Sequence, residues 1–135
     1  MAYYVGILDG NRDVWGVRIP DVPGCFGGGP TPEDAIADAI SALSEVATDH
    51  ASAGRALAAP RLAAAIISDP GTEYDAKTGE TLVMLPLLLD KGRTVKANIS
   101  LDAGLLEAID AEAARRGLTR SAFLGLAARE KIAAG

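Results

Sequence analysis

The sequence predicts an α+β protein in two units: a small antiparallel sheet with helices over residues 1–90, then a strand–helix–helix unit over residues 91–135. Three observations carry this. Two β-branched and aromatic runs flank a turn near the N-terminus. A capped, helix-period segment follows them. The charge then changes sign: residues 1–90 hold five Lys or Arg and thirteen Asp or Glu, a net −8, whereas residues 91–135 hold eight and five, a net +3. An acidic body with a basic tail is a recognised pattern of nucleic-acid-binding chains.

"YYVGIL" (3–8) and "VWGVRI" (14–19) read as a hairpin around the turn-forming "DGNRD". "PDVPGCFGGGP" is too rich in proline and glycine for a helix, but Cys25 and Phe26 suit a short third strand. Thr31 followed by Pro32, Glu33 and Asp34 is a helix start, with a hydroxyl cap and carboxylates at the positive end of the dipole. Ala35, Ile36, Ala39, Ile40, Leu43 and Val46 repeat at helical spacing, which carries this helix to about Asp49 or His50. Gly54 and Pro60 break the Ala-rich stretch after it, and a short second helix is expected beyond Pro60. "SDPGTEYDAKTGE" is a polar loop leading into an apolar strand, "TLVMLPLLL", which Pro86 places at a sheet edge or a bend.

With 49% apolar and 23% charged residues, the chain has the composition of a globular protein. The one cysteine, Cys25, excludes an internal disulfide and suits a reducing cytoplasm. No secretory leader is legible at the N-terminus, and "LVMLPLLL" is too short to cross a bilayer, so no membrane partner is expected.

In "RTVKANISLD" (93–102), Val95, Ala97, Ile99 and Leu101 alternate with Thr94, Lys96, Asn98 and Ser100, the pattern of a strand with one apolar face. Asp102 then caps a helix with Leu105, Leu106, Ile109 and Ala113 inward, and "RRG" closes it at Gly117. Thr119 caps a last helix through Phe123, Leu126, Ala127 and Ile132. One strand and two short helices bury too little to fold alone, and a lone strand leaves its backbone unpaired. Two copies with antiparallel strands remove both difficulties. They form a homodimer with Val95, Ala97, Ile99 and Leu101 in its core and Thr94, Lys96 and Asn98 displayed above. Such a ribbon fits the DNA major groove, where Lys96 can donate to guanine and Asn98 can pair with adenine. Residues 94–101 coiled, helical or paired into the larger sheet would count against this reading.

"RTVKANISLDAGLLEAIDAEAARRGLTRSAFLGLAAREKI" resembles a ribbon-helix-helix DNA-binding domain of the MetJ/Arc class, on its "NISL" strand and "GLTRSAFL" junction. The resemblance implies base contacts from Thr94, Lys96 and Asn98; the free amides at the start of the last helix, near Thr119, Arg120 and Ser121, suit a backbone phosphate, and Arg93 is a further DNA-binding candidate. "YYVGILDGNRDVWGVRIPDVPGCFGGGPTPEDAIADAISAL" is similar to the N-terminal domain of HicB-type antitoxins, a truncated RNase H-like fold. That resemblance implies a non-enzymatic antitoxin that neutralises a HicA-like, mRNA-cleaving toxin and represses its own operon by binding operator DNA, as a dimer or a tetramer. Trp15 and Phe26 are the candidate toxin contacts. A plain ribbon-helix-helix regulator whose N-terminal domain senses a ligand or oligomerises is the alternative.

A nuclease reading would gather Asp9, Asp21 and Glu33 around magnesium, but each has a plainer role in a turn, between prolines or at a helix start. "GGG" at 27–29 lacks the Lys-Ser or Lys-Thr of a phosphate loop and reads as a tight turn. Cys25 and His50 lack an orienting third group and are too few for a metal site. No catalytic residue, metal or cofactor is expected.

Overall fold

The computed structural model describes residues 1–89 and 91–134. The chain divides into two compact units, Met1–Lys91 and Gly92–Gly135. The first carries β1 (Tyr3–Asn11), β2 (Val14–Arg18), β3 (Phe26–Gly29), α1 (Pro32–Ser52), α2 (Ala63–Ser68) and β4 (Thr81–Pro86). Two 3₁₀ turns, Pro70–Thr72 and Ala76–Thr78, lie between α2 and β4. The strands form one antiparallel sheet in the order β3-β2-β1-β4.

The hairpin is longer and tighter than the sequence suggests. β1 runs through Asp9 to Asn11, which pairs with Val14, so only Arg12 and Asp13 turn the chain, with Arg12 at a φ of 59°. The expected tight turn at Gly27–Gly29 is instead a strand, and the reason is steric. A Cβ on Gly27 would lie 2.3 Å from the Ala39 backbone nitrogen, so glycine there lets α1 approach the sheet. Thr31 caps α1 as expected, accepting from the Asp34 N–H at 3.1 Å.

α1 buries Ala35, Ala39, Ile40, Leu43 and Ala47. It packs on the sheet face that carries Val17, Val83 and Leu85, the side chains that surround the Cβ position of Gly6. On the other face Val5, Ile7 and Ile66 form a second cluster, joined by Ala63, Tyr74 and Leu82. α2 and the loop after it therefore cover only the β1–β4 side of that face.

The second unit carries α3 (Ala103–Arg115) and α4 (Arg120–Ala134). Asp102 caps α3 through the Leu105 N–H at 3.1 Å, and Thr119 caps α4 through the Ala122 N–H at 3.1 Å. Between them Gly117 has a φ of 70°, and the Leu118 N–H reaches back to the Ala113 carbonyl at 2.8 Å, the C-terminal lock read from "RRG". The strand expected over 93–102 is not formed in the single chain, so the outcome that counts against the ribbon reading is the one observed for one copy. Residues 93–101 have neither helix nor strand, and all of them are exposed. A strand exists only by pairing, and no described residue of this chain offers residues 93–101 a ladder. No helix among the described residues is long and apolar enough to cross a membrane.

Candidate protein-binding and nucleic-acid surfaces

Backbone alternation along β1–β3 puts Asp9, Val14, Gly16, Arg18 and Phe26 on the sheet face that α1 does not cover. These residues and Ile7 line a groove of about 580 Å³. At Gly16 the groove reaches the backbone, because glycine places no side chain there. Its rims are apolar: Val14 is 72% exposed and Phe26 is 63% exposed. Solvated aromatic and aliphatic rims around an open groove suit a protein partner better than a small ligand.

The two candidate toxin contacts separate at this point. Phe26 stands free at the rim. Trp15 belongs to the hairpin: its ring fills the space beside Gly10, and its indole N–H donates to the Arg12 carbonyl at 2.9 Å.

Arg18 sets the other end of the groove. Its guanidinium donates to Glu80 at 2.6 Å and to the Thr72 and Glu73 carbonyls at 3.3 and 3.2 Å. Glu80 also accepts from the Asp75 N–H at 2.8 Å. The Arg18 hydrogen bond, reinforced by that N–H and by the guanidinium charge, holds the Glu80 carboxyl below its ordinary pKa, against the opposing effect of burial. This clamp ties the 69–80 loop to β2. Sequence reasoning missed it, since nothing local marks a pair 62 residues apart.

The residues of the rejected catalytic readings have other occupations. Asp21 accepts from the Arg61 backbone N–H and side chain, both at 2.7 Å, and Arg61 also reaches Asp69 at 2.9 Å. Glu33 lies in the first turn of α1, and Asp9 lies within β1 rather than in a turn. Among the described residues, no group of three or more His, Cys, Asp or Glu is placed to hold a metal. Cys25 is buried, which pushes its thiol pKa up, with the charge of Glu45 adding to the effect. The His50 ring lies against the Val46 carbonyl at 2.9 Å.

In the second unit, Arg93, Thr94, Lys96 and Asn98 are exposed, but so are Val95, Ala97, Ile99 and Leu101. Val95 is 77% and Ile99 63% exposed, so the single chain gives the aliphatic set no core. Leu105, expected inward on α3, is exposed, and so are Leu126 and Ile132 on α4. Among the described residues of this unit, only Ile109 and Ala113 are buried. Ser121 is exposed in the first turn of α4. Arg120 is not free: its Nε and Nη2 both donate to the Asp110 carboxylate at 2.8 Å. Arg115 and Arg116 both bind Glu112, and these hydrogen bonds draw its carboxyl pKa down to about 2. Three of the arginines behind the basic balance are thus locally neutralised, while Arg93 and Lys96 show no ion pair among the described residues.

Residues 3–128 match the family model of the HicB-like antitoxin of bacterial toxin–antitoxin systems. No curated protein matches the chain. Among solved structures it is similar to the antitoxin HicB of Burkholderia pseudomallei, with 27% identity, 98% of this chain and 99% of that one covered, and a TM-score of 0.56. It is also similar to the antitoxin HicB3, with 30% identity, 96% and 97% coverage and a TM-score of 0.53. The same fold recurs in a toxin–antitoxin complex from Streptococcus pneumoniae, at 17% identity, 96% and 98% coverage and a TM-score of 0.51. The α+β architecture with its four-stranded antiparallel sheet is thus similar to that of HicB antitoxins, which are not enzymes, and the chain belongs to the HicB-like antitoxins of bacterial toxin–antitoxin systems.

Proposed function

We propose that this antitoxin neutralises a HicA-like toxin with its N-terminal unit and represses its own operon with its C-terminal unit, a ribbon-helix-helix that is completed by a second chain. The observation that carries the second half is the exposure of Val95, Ile99 and Leu101 in the single chain, beside a capped and locked helix pair. Aliphatic side chains at alternate positions of an unpaired segment call for a partner strand, and an antiparallel copy supplies it by symmetry. The partner strand buries the aliphatic face and turns Thr94, Lys96 and Asn98 toward bases. Ser121 and the first amides of α4 meet a phosphate, with Arg93 beside them. Arg120 joins them by exchanging Asp110 for a phosphate oxygen.

The toxin-binding half is supported by the family and by the groove at Phe26. A similar structure at 22% identity is described as a HicA3 and HicB3 toxin–antitoxin complex. The N-terminal unit's net charge of −8, counted over residues 1–90, would steer a cationic RNA-binding partner toward it.

Each half has its own test. Replacing Lys96 and Asn98 together by alanine should weaken binding to the operon's own promoter DNA at least about 100-fold at matched salt, with the mass in solution unchanged. DNA affinity equal to that of the parent chain would refute the ribbon reading. Phe26→Ala should weaken toxin binding about tenfold. Intact DNA binding without any affinity for the neighbouring toxin would leave a plain regulator.

A further inference from the structure

The groove on the uncovered face of the first unit's sheet is not electrically neutral. Arg18 bonds Glu80 there, and the charges of Asp9 and Glu73 act on the same guanidinium. One cation therefore stands among three carboxylates, which leaves two negative charges in excess. Glu80 is engaged by Arg18 and by the Asp75 N–H. Asp9 is not engaged in this way. It lines the groove, is exposed, and its carboxylate has no hydrogen bond or ion pair among the described residues.

The strands leave a passage to this carboxylate. Asp9, Gly16 and Gly28 are cross-strand partners in one row across β1, β2 and β3. Four other sheet glycines are explained within the chain: a Cβ on Gly6, Gly10, Gly27 or Gly29 would come within 3.0 Å of a neighbouring atom. Gly16 and Gly28 are different, because a Cβ there would meet a single backbone oxygen, at 3.7 and 3.5 Å. Neither has a positive φ. Glycine weakens a strand, and one that the chain itself does not need marks a close approach from outside. The flanking rows, Arg18 with Phe26 and Asn11 with Val14, lie about 13 Å apart, which leaves the width of one extended side chain between them.

We propose that this row seats one basic side chain of the toxin, a lysine or an arginine. Its apolar stem lies over Gly16 between Phe26 and Val14, and its charged end meets Asp9. The seat rests on the toxin-binding reading of the N-terminal unit and gives that unit a specific contact.

Charge selects the occupant. A second copy would bring another unit with a net −8, counted over residues 1–90, to a place where carboxylates are already in excess. A cationic side chain neutralises Asp9 and leaves the Arg18–Glu80 bond in place. The rims favour the same occupant, since lysine and arginine stems pack on apolar surface and the Phe26 ring attracts a cation.

Calorimetric titration of the full chain with the toxin encoded beside it tests the seat. Asp9→Asn removes the charge at constant shape and should weaken binding about 30-fold, whereas Asp9→Glu should stay within about threefold of the parent. Gly16→Val fills the row and should also cost at least about 30-fold, with an unfolding midpoint no lower than the parent's. Parental affinity in Asp9→Asn or in Gly16→Val would overturn the seat and leave the toxin bound elsewhere on the unit. Asp9→Glu binding no better than Asp9→Asn would make the effect one of shape and overturn it too. A changed mass in solution with toxin affinity intact would give the row to a second copy, which also overturns the seat. A parent chain without affinity for the toxin would overturn both the seat and the reading beneath it. If Gly16→Val lowers the unfolding midpoint, the difference between Asp9→Asn and Asp9→Glu decides alone.

Discussion

The two units of this antitoxin solve the problem of burial in opposite ways. In the first, Val5, Ile7, Leu43, Ile66 and Leu85 are each below 2% exposure, and both sheet faces carry a core. In the second, Ile109 and Ala113 alone among the described residues are buried, while Val95, Ile99, Leu105 and Leu126 lie open. Both have well-made local structure, with caps at Thr31, Asp102 and Thr119. Good helix ends therefore do not make a stable unit; closure of an apolar core does. The first unit closes within one chain, whereas the second has its apolar residues on the outside, and in the proposed ribbon a second chain covers them.

The largest expected effect breaks this comparison at the second unit. Ile99→Asp should abolish dimerisation and DNA binding by placing a carboxylate in the shared core, a penalty on the order of 1000-fold in the dimer dissociation constant. It should leave the unfolding of the first unit unchanged. Sedimentation and a thermal melt of the same sample check both halves. Leu85→Ala should do the reverse: about 3 kcal/mol lost from the first unit, read from denaturant unfolding, with DNA affinity retained where the unit is still folded.

A smaller effect sharpens the comparison through pH. Glu80 titrates below its unfolded value of about 4.3, so the folded state binds this proton less readily than the unfolded one. Its contribution is complete above about pH 5 and is lost as pH falls through 4.3 toward the depressed folded value. Glu80→Gln should cost the first unit about 2 kcal/mol at pH 7, a figure reduced for the partial exposure of Arg18, and should flatten this acid dependence. Urea midpoints of parent and variant at pH 7 and pH 3 should converge at the lower pH.

What was legible in the sequence was local. Thr31-Pro32-Glu33-Asp34 marked the start of α1, and "RRG" marked the end of α3, because caps and positive-φ glycines act within a few residues. Helix α2 came where Pro60 suggested, though it begins at Ala63. Gly27–Gly29 was misread as a turn, since glycine signals turns more often than close helix–strand approach, and only the distance to Ala39 distinguishes them. The Arg18–Glu80 and Arg61–Asp21 pairs join residues 62 and 40 positions apart and had no local signature. At the candidate sites, the exposure of Phe26 and the engagement of Trp15 with Arg12 depend on the hairpin register, which composition does not set. The alternation in 93–102 was legible, but a strand is a property of two segments, and one chain supplies a single segment.

Amide hydrogen exchange across Thr94–Leu101 of the full chain, followed over a range of protein concentrations, reaches that point most directly. Alternate amides of this segment should become protected as concentration rises, together and with the midpoint at which the mass doubles. Exchange at the rate of an unstructured peptide at every concentration, including those at which the chain is dimeric, would contradict the shared ribbon.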